Sequence, residues 1–146
     1  MAGSEEARSF VASHSRSFLL TRRDSGAPTG HPMTLRVSSA GDLLFNTYRA
    51  SAKARNLIRR PQVSCLVTTG TDDPDPRWVL VSGTAEVLDR DEGIRAWSTS
   101  TGGPAVAVRS PVVGDTVQAR LADGKRIVVR LRPERVIGPI RPARGS

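Results

Sequence analysis

The stretch from Leu43 to Thr69 limits the fold more than any other part of the chain, because it reads as strand, short helix, strand. Residues 43–45 form a short apolar run, and residues 62–69 are β-branched and apolar, as is typical of strands. Between them, one short segment carries five positive charges and no carboxylate, at Arg49, Lys53, Arg55, Arg59 and Arg60. This imbalance favours an anionic partner, with an ordinary solvated basic helix as the alternative.

Helical spacing separates this segment into an apolar and a polar side. The apolar side, which can pack against a sheet, consists of Ala50, Ala54, Leu57 and Ile58. The polar side, which is free to bind, consists of Arg49, Lys53, Asn56 and Arg60. We therefore expect one face to anchor the helix and the other to meet a ligand.

The start of this helix suits an anion. Ser51 is a candidate cap or anion contact, since the first-turn N–H groups lack partners and the helix dipole favours negative charge. The chain has twenty arginines and only two lysines, Lys53 and Lys125. A lysine at position 53 is therefore unusual for this sequence. A compact ammonium suits a phosphate oxygen. Pro61 is expected to end the helix.

Composition argues against several classes of function. The net charge of +8 admits nucleic acid, but the positive residues are scattered and no zinc finger, helix-turn-helix or aromatic RNA platform accompanies them. We expect no nucleic-acid partner. Two histidines, His14 and His31, supply neither an HExxH motif nor a metal cluster, and no G-x-S-x-G elbow is present. We also expect no metal.

Location and assembly follow from the apolar residues. No run of about 18 apolar residues and no secretory pattern occur, which predicts a cytoplasmic protein without a membrane partner. The single cysteine, Cys65, lies in a strand pattern and is expected to be a buried apolar residue. With 38% hydrophobic and only 4% aromatic residues, the chain is lean for a monomer, and pairing with a second copy would help to bury apolar surface.

The length of 146 residues predicts one main domain at 17–138, after an N-terminal helix region at 1–16 with Ser4 as a possible cap and before a loose tail at 139–146. A third helix is expected at Asp89–Ser98, followed by a loop at Ser98–Asp115 that has room for a short helical turn. Six strands are predicted, at Ser17–Arg22, Gly30–Ser38, Leu43–Thr47, Gln62–Thr69, Trp78–Leu88 and Lys125–Leu131. Without β-α-β alternation, they favour a mainly β fold with short helices, a six-stranded antiparallel Greek-key or meander barrel.

Three further features concern ligands and backbone. His31, Pro32, Met33 and Thr34 begin the second predicted strand, where Pro32 removes a ladder donor and leaves an edge open to a flat ligand. Alternatively, Met33 fills core space. Trp78 either stacks on a planar ligand or covers the rim of the barrel. Gly83 predicts a bulge or close backbone approach.

The order of these motifs resembles the pyridoxamine 5'-phosphate oxidase-like split β-barrel superfamily. The resemblance is carried by HPM at 31–33, NTYRASAKARNLIRRPQVSCLV at 46–67, WVLVSGTAEVL at 78–88 and RIVVRLRPERVIG at 126–138. Within the superfamily, Ser51-Ala52-Lys53 followed by Arg55-Asn56-Leu57 is more similar to the actinobacterial F420-dependent flavin/deazaflavin oxidoreductases than to the FMN oxidases. The latter usually carry a second basic residue where this chain has Ala52.

The resemblance implies an FMN-binding-type split barrel that is homodimeric, with two cofactor sites at the subunit interface. Ser51 and Lys53 would hold the phosphate of coenzyme F420, with Ala52 and Asn56 beside it. Arg49 and Arg55 would meet its anionic oligoglutamate tail. The expected neighbours of the tricyclic ring are His31, Pro32, Met33, Thr34, Asn46, Thr47 and Trp78.

The implied activity is hydride transfer from reduced deazaflavin to an unsaturated planar organic substrate, with the chemistry supplied by the cofactor and no dedicated catalytic side chain. Two alternatives remain from the sequence. One is an FMN-binding oxidoreductase or general stress protein of the same fold. The other is a noncatalytic protein that binds flavin or deazaflavin.

Overall fold

The computed structural model of the protein describes residues 5–14, 16–102 and 111–143. Within them the chain forms four helices and eight strands. The helices are α1 (Glu5–Ser13), α2 (Ala52–Arg59), α3 (Arg90–Thr99) and α4 (Pro111–Ala122). The strands are β1 (Arg16–Arg22), β2 (Pro28–Met33), β3 (Arg36–Val37), β4 (Leu43–Tyr48), β5 (Gln62–Thr68), β6 (Trp78–Val87), β7 (Thr101–Gly102) and β8 (Arg126–Ile140).

All eight strands belong to one antiparallel sheet in the order β2-β1-β5-β6-β8-β4-β3-β7. β2 lies at one edge and β3 near the other, yet only residues 34 and 35 separate them in the chain. Three Cα steps span at most about 11 Å. The sheet must therefore curl until its edges approach each other, which makes it a half-barrel.

The predicted count of six strands is wrong. The expected strand Gly30–Ser38 is two strands, because Met33 pairs with Ser17 whereas Arg36 pairs with Leu44 at the far side of the sheet. The chain turns between them where Leu35, only 3% exposed, enters the core. The short strand β7, which was expected to be loop, supplies the eighth.

The barrel interior is built by strand alternation and closed by two helices. Each strand buries every second residue: β5, for example, buries Val63, Cys65 and Val67. The helix α1 adds Ala7, Phe10 and Val11 to the same cluster, and α2 adds Ala54 and Leu57. Cys65 is completely buried, as predicted.

A second, smaller core explains the unbroken apolar run at the start of β4. Leu43 and Phe45 face the barrel interior, while Leu44 on the other face packs with Leu88, Leu121 and Val128. The helices α3 and α4 cover this outer side of β4 and β8. Strands buried on both faces lose the alternating pattern and become continuously hydrophobic.

The predicted loop Ser98–Asp115 is also partly wrong, because helix α4 begins at Pro111. Proline is favoured at the first helical position, where its missing N–H would have no partner anyway. Residues 103–110 of that loop lie outside the described residues, as does the possible cap Ser4. The helix predicted at Asp89–Ser98 is confirmed, with Asp89 as the N-cap that accepts a hydrogen bond from the backbone N–H of Glu92.

The C-terminal strand is longer than expected. β8 continues to Ile140, so two residues of the predicted tail are in the sheet. Arg141 pairs with Asp75 at 2.7 Å, while residues 144–146 lie outside the described range. Gly83 forms the predicted close approach: a Cβ there would lie 1.9 Å from the carbonyl oxygen of Arg132, beside a shift in the β6–β8 register.

Among the described helices, none is long and apolar enough to cross a membrane.

Candidate functional site

The start of α2 is fixed to the end of β4 by hydroxyl groups. Ser51 is the N-cap, and its Oγ accepts a hydrogen bond from the backbone N–H of Ala54 at 3.2 Å, which confirms the predicted cap. The buried Thr47 Oγ1 lies 3.2 Å from the same Oγ. Ala52, the first helical residue, is exposed beside them. A helix N-terminus presents unpaired N–H groups and a partial positive charge, so this corner of the barrel suits an anion.

Lys53 adds a full charge to this corner. Its Nζ lies 3.5 Å from the Sδ of Met33, a weak acceptor, and in the described part of the chain its ammonium forms no ion pair. Burial, with a further contribution from the positive charge of Arg126, lowers the pKa of Lys53. A half-buried cation whose charge is opposed by its surroundings gains most from an incoming anion.

His31 lies in the same corner on the edge strand β2. Its Nε2 is 3.1 Å from the Oγ1 of Thr29. Burial lowers the pKa of His31, and the charges of Lys53 and Arg23 lower it further, which favours the neutral ring. The imidazole is therefore a hydrogen-bonding group rather than another cation in this corner.

The edge position predicted from Pro32 is confirmed, since β2 is the first strand of the sheet and Pro32 is exposed on it. Met33 packs partly against the main core, so the alternative prediction that it fills core space holds for part of its side chain. Its sulfur nevertheless contacts Lys53. Thr34 follows the end of β2 and is half-buried at the turn toward β3.

Asn46 takes part in a cationic cluster on the outer side of β4. Arg126, which lies opposite Tyr48 in the β4–β8 register, donates a hydrogen bond to the Asn46 Oδ1. The Arg126 guanidinium is 4.0 Å from the centroid of the Tyr48 ring, and Arg120 of α4 donates to the Tyr48 hydroxyl. Hydrogen bonding and charge from Arg126, together with the charge of Arg120, lower the pKa of the Tyr48 phenol against an opposing effect of desolvation. The Nε of Arg126 is buried without a hydrogen-bond partner.

Sequence reasoning did not find Tyr48, Arg120 or Arg126. Arg126 is eighty residues from Asn46 in the chain. Only the pairing of β4 with β8 brings them together, and no local pattern carries that information.

The two arginines that were predicted to share one role point in different directions. Arg49 donates from Nε to the carbonyl oxygen of Gly124 at 3.0 Å, on the side of the turn between α4 and β8. Arg55 and Asn56 instead line an open cleft of about 550 Å³ between α2 and the β1–β2 turn. The other residues that line the cleft are Arg23, Asp24, Ser25 and Arg59.

One carboxylate already occupies part of this cleft. Asp24 pairs with Arg59 and, at 2.8 Å, with Arg60. Hydrogen bonding from Arg60, with the charge of both arginines, lowers the pKa of Asp24. Arg23 and Arg55 are in no ion pair among the described residues, so the cleft keeps a positive balance.

The predicted apolar side of α2 is narrower than expected. Ala54 and Leu57 are buried, but Ile58 is 59% exposed, and Ala50 lies before the first helical residue and is also exposed. The helix starts two residues later than its apolar spacing suggested. As a result, only one helical turn of the apolar side of α2, with Ala54 and Leu57, faces the barrel.

Trp78 is not brought to this corner within one chain. It begins β6, opposite Thr68, and its neighbour Val79 faces the barrel interior. Trp78 therefore lies on the outer face of the sheet, whereas Lys53 contacts Met33, which packs against the inner cluster.

Among the described residues, no group of three or more histidine, cysteine or acidic side chains could hold a metal ion.

Comparison with known proteins places these features in context. The family model of pyridoxamine 5'-phosphate oxidase matches residues 4–138. The Mycobacterium tuberculosis protein Rv2991 is 28% identical over 93% of this chain and 83% of that chain, with a TM-score of 0.68. Among curated proteins, none matches this sequence.

Two other solved structures share the fold. An F420 reductase is 18% identical over 92% of this chain and 98% of that chain, with a TM-score of 0.63. A heme binding protein from Mycobacterium smegmatis is 23% identical with a TM-score of 0.71; the match covers 93% of this chain but spans only 54% of that protein. At these identities the likeness is one of fold alone.

Proposed function

Since this chain belongs to the pyridoxamine 5'-phosphate oxidase family, we propose that it is an oxidoreductase that uses the deazaflavin coenzyme F420 to reduce an unsaturated planar organic substrate. The family includes oxidoreductases, and an F420 reductase has the same fold. The activity itself is inferred from the residues at the start of α2.

A single observation carries the proposal: Lys53 is a half-buried cation without an acidic partner in the described chain, beside the N-terminus of a helix capped by Ser51. This arrangement combines a point charge, a hydroxyl and a helix dipole at one place. A phosphate group would supply the missing negative charge. Ala52 and Asn56 are the further predicted neighbours of that phosphate.

The acidic tail of the coenzyme would lie in the cleft between α2 and the β1–β2 turn. Arg55 lines this cleft together with Arg23 and Arg59, so three arginines outnumber its one carboxylate, Asp24. We add Arg23 and Arg59 to the predicted tail contacts. Arg49 remains a predicted contact, although its Nε is engaged by the carbonyl oxygen of Gly124.

The ring of the coenzyme is expected along β2 and the end of β4, near His31, Pro32, Met33, Thr34, Asn46 and Thr47. The neutral imidazole favoured at His31 could accept or donate one hydrogen bond to a ring heteroatom without adding charge. When bound, the reduced deazaflavin supplies a hydride, that is, two electrons and one proton equivalent. The side chains of this corner would orient the ring, and a proton from solvent or from a site residue would complete the reduction of the substrate double bond.

We also propose that the protein is a homodimer, formed through the outer face of β1, β5 and β6. In this face, residues directly opposite each other on neighbouring strands form an apolar row of Phe18, Leu66 and Leu80. Leu20, one row further, is 37% exposed, and none of these four side chains belongs to either core cluster. An apolar sheet face that no helix of the described chain covers is suited to a second copy.

Trp78 lies at the end of the same outer face. In a dimer formed through this face, Trp78 is the predicted ring contact that one subunit would contribute to the cofactor site of the other. Its assignment to the ring therefore depends on dimer formation.

FMN is the alternative cofactor. The matching family model is that of pyridoxamine 5'-phosphate oxidase, and the sequence resemblance includes the FMN oxidases of that superfamily. The test is a fluorescence titration of purified protein with F420 and, separately, with FMN. We expect F420 to bind more tightly. A preference for FMN would favour the alternative oxidoreductase, and failure of both to bind would leave a protein without a flavin-type cofactor.

A further inference from the structure

Four cations lie at the end of β4, around one exposed phenol. Arg120 of α4 and Arg126 of β8 contact the ring of Tyr48, and Lys53 and Arg49 lie beside Arg126. In the described chain, none of the four cations forms an ion pair. We call Tyr48, Arg120 and Arg126 the Tyr48 cluster. It lies on the outer side of β4 and β8, whereas the proposed dimer face is that of β1, β5 and β6.

Both guanidiniums of the Tyr48 cluster lie against the phenol. The Arg126 guanidinium is 4.0 Å and the Arg120 guanidinium 5.4 Å from the centroid of the Tyr48 ring. Arg120 also donates to the Tyr48 hydroxyl oxygen, so the hydroxyl proton is available to a further acceptor. Tyr48 is 44% exposed, which leaves this hydroxyl accessible from solvent. Donors from three side chains are therefore within reach of one small ligand.

The charge of Arg126 is met by neutral groups. One of its terminal N–H groups donates to the Asn46 Oδ1, and its Nε is buried without a hydrogen-bond partner. Asp89 lines a narrow crevice together with Arg126, but its carboxylate caps α3 by accepting from the backbone N–H of Glu92 and forms no ion pair in the described chain. Neighbouring like charges repel one another, and an anion that binds among them is stabilised by each.

The Tyr48 cluster adjoins the proposed cofactor site. Asn46, a predicted contact of the ring, accepts the hydrogen bond from Arg126. Burial and, in addition, the charge of Arg126 lower the pKa of Lys53, the predicted contact of the phosphate. An anion held by the cluster would therefore lie beside a cofactor held by Lys53, in the position that a substrate requires.

We propose that the Tyr48 cluster binds the carboxylate of the substrate, so that the substrates of this protein are planar unsaturated carboxylic acids. The role as substrate rests on the proposed function, whereas the binding of the carboxylate does not. Arg120 and Arg126 would donate charge-assisted hydrogen bonds to the carboxylate, and the Tyr48 hydroxyl would donate another. The planar guanidinium of arginine matches the geometry of a carboxylate better than a lysine ammonium does.

Isothermal titration calorimetry with trans-cinnamate, in the absence of F420, tests the proposal. Cinnamate joins a planar C=C bond to a carboxylate, and the neutral cinnamamide is the matched probe. We expect saturable binding of cinnamate and at least about tenfold weaker binding of the amide, since charge-assisted hydrogen bonds are about twice as strong as neutral ones. Absence of cinnamate binding, or equal binding of both probes, would overturn the proposal.

Tyr48 reports on the position of the carboxylate, because it is the only tyrosine of the chain. Isotope-labelled tyrosine therefore gives a single NMR signal, from which the ionisation of Tyr48 is measured. Hydrogen bonding and charge from Arg126, with the charge of Arg120, lower the pKa of Tyr48 in the free protein. A carboxylate bound beside these arginines would offset their charge, so saturating cinnamate should raise the pKa of Tyr48. Cinnamate binding that leaves this pKa unchanged would place the carboxylate elsewhere and refute the proposal.

Variants of the two arginines identify the groups that bind. Arg120→Gln and Arg126→Gln should each weaken cinnamate binding about tenfold. Arg95→Gln removes an exposed guanidinium from the neighbouring helix α3 and should leave the affinity unchanged. Circular dichroism melts would show that each variant is folded, and Arg120→Gln, on a surface helix, keeps the test decisive if Arg126→Gln is unstable. An equal loss in Arg95→Gln would mean that cinnamate responds only to net charge, against the proposed site.

Two further titrations separate this site from the phosphate site. Lys53→Ala should weaken cinnamate binding less than Arg126→Gln does, and saturating F420 should leave cinnamate bound. An equal loss in Lys53→Ala, or displacement of cinnamate by F420, would place the carboxylate at the cofactor site and overturn the proposal.

The results also distinguish this inference from the proposed function. Binding of F420 without binding of cinnamate would refute the carboxylate site and leave the deazaflavin proposal intact. Binding of cinnamate that depends on Arg120 and Arg126, without binding of F420, would support the carboxylate site and remove the proposed cofactor.

Discussion

Replacement of Lys53 by alanine should weaken F420 binding by about tenfold. Among the described residues, the ammonium has only the Met33 sulfur as a neighbouring acceptor, 3.5 Å away, so its removal leaves no other charge there without its partner. The loss is then the interaction with the ligand alone. A hydrogen bond to a charged group contributes about 1.5–3 kcal/mol, and the partial exposure of Lys53 favours the lower limit. About 1.4 kcal/mol corresponds to a tenfold change in Kd.

The assay is fluorescence titration of F420 at constant ionic strength, and the chain offers a matched control. Lys125→Ala removes the other lysine, which is exposed in the turn between α4 and β8. It lowers net charge by the same amount and should leave the Kd within about twofold, since surface charges at a distance are screened. Unchanged affinity in Lys53→Ala, or an equal loss in both variants, would refute the assigned role.

The pH dependence gives an independent measurement of the same residue. Burial lowers the pKa of Lys53 below the ordinary value of 10.5, so its charge is lost at lower pH than that of an exposed lysine. F420 affinity should be full below this lowered pKa and should fall as pH rises through it. Lys53→Ala should not show this fall. An identical alkaline decline in both proteins would contradict the reasoning.

The same shift predicts a cost to stability. Because the unfolded chain binds the Lys53 proton more tightly than the free folded protein, the charge destabilises the fold at neutral pH, and this effect disappears as pH rises toward 10.5. Lys53→Met should therefore melt at the same or a higher temperature than the wild type while binding F420 more weakly. A lower melting temperature would show that the ammonium contributes to the fold itself.

Three other predictions concern the fold, its one thiol and its assembly. Gly83→Ala should destabilise by more than about 3 kcal/mol in urea denaturation, because its Cβ would lie 1.9 Å from the Arg132 oxygen; Gly70→Ala, where nothing lies within 4 Å, should change stability by less than about 0.5 kcal/mol. Equal losses would contradict the packing argument. Burial raises the pKa of Cys65 to about 12, so a thiol reagent at pH 8 should label it only after unfolding, and rapid native labelling would refute this. Leu66→Lys should give a folded monomer by light scattering, where the wild type is dimeric; a monomeric wild type would exclude the proposed pairing surface.

Local patterns in the sequence were sufficient for the elements that carry the proposed phosphate site. The strand at Leu43, the helix after Ser51 and the strand at Gln62 all occur where the residue pattern predicts them. The N-cap at Ser51 and the close approach at Gly83 were also predicted, because capping hydroxyls and interior glycines act within a few residues of their own position.

Errors arose where a residue's structure depends on distant partners. The second predicted strand divides after Met33, because its two halves pair with strands on opposite sides of the curled sheet. Helix α4 was missed because the surrounding Ser, Thr, Gly and Pro residues are typical of loops. Ile58 was expected to be buried, but the orientation of α2 against the barrel leaves it in solvent.

By itself, the sequence determined the mainly β character, the basic helix and the capping hydroxyl, since these follow from periodicity, charge and turn chemistry within short windows. Only the tertiary structure decided which cations act together. It placed Lys53 near Met33 and Arg126, and it directed Arg49 away from Arg55. The physical reason is strand pairing: the register of a sheet joins residues that are tens of positions apart, and it assigns each side chain to one face or the other.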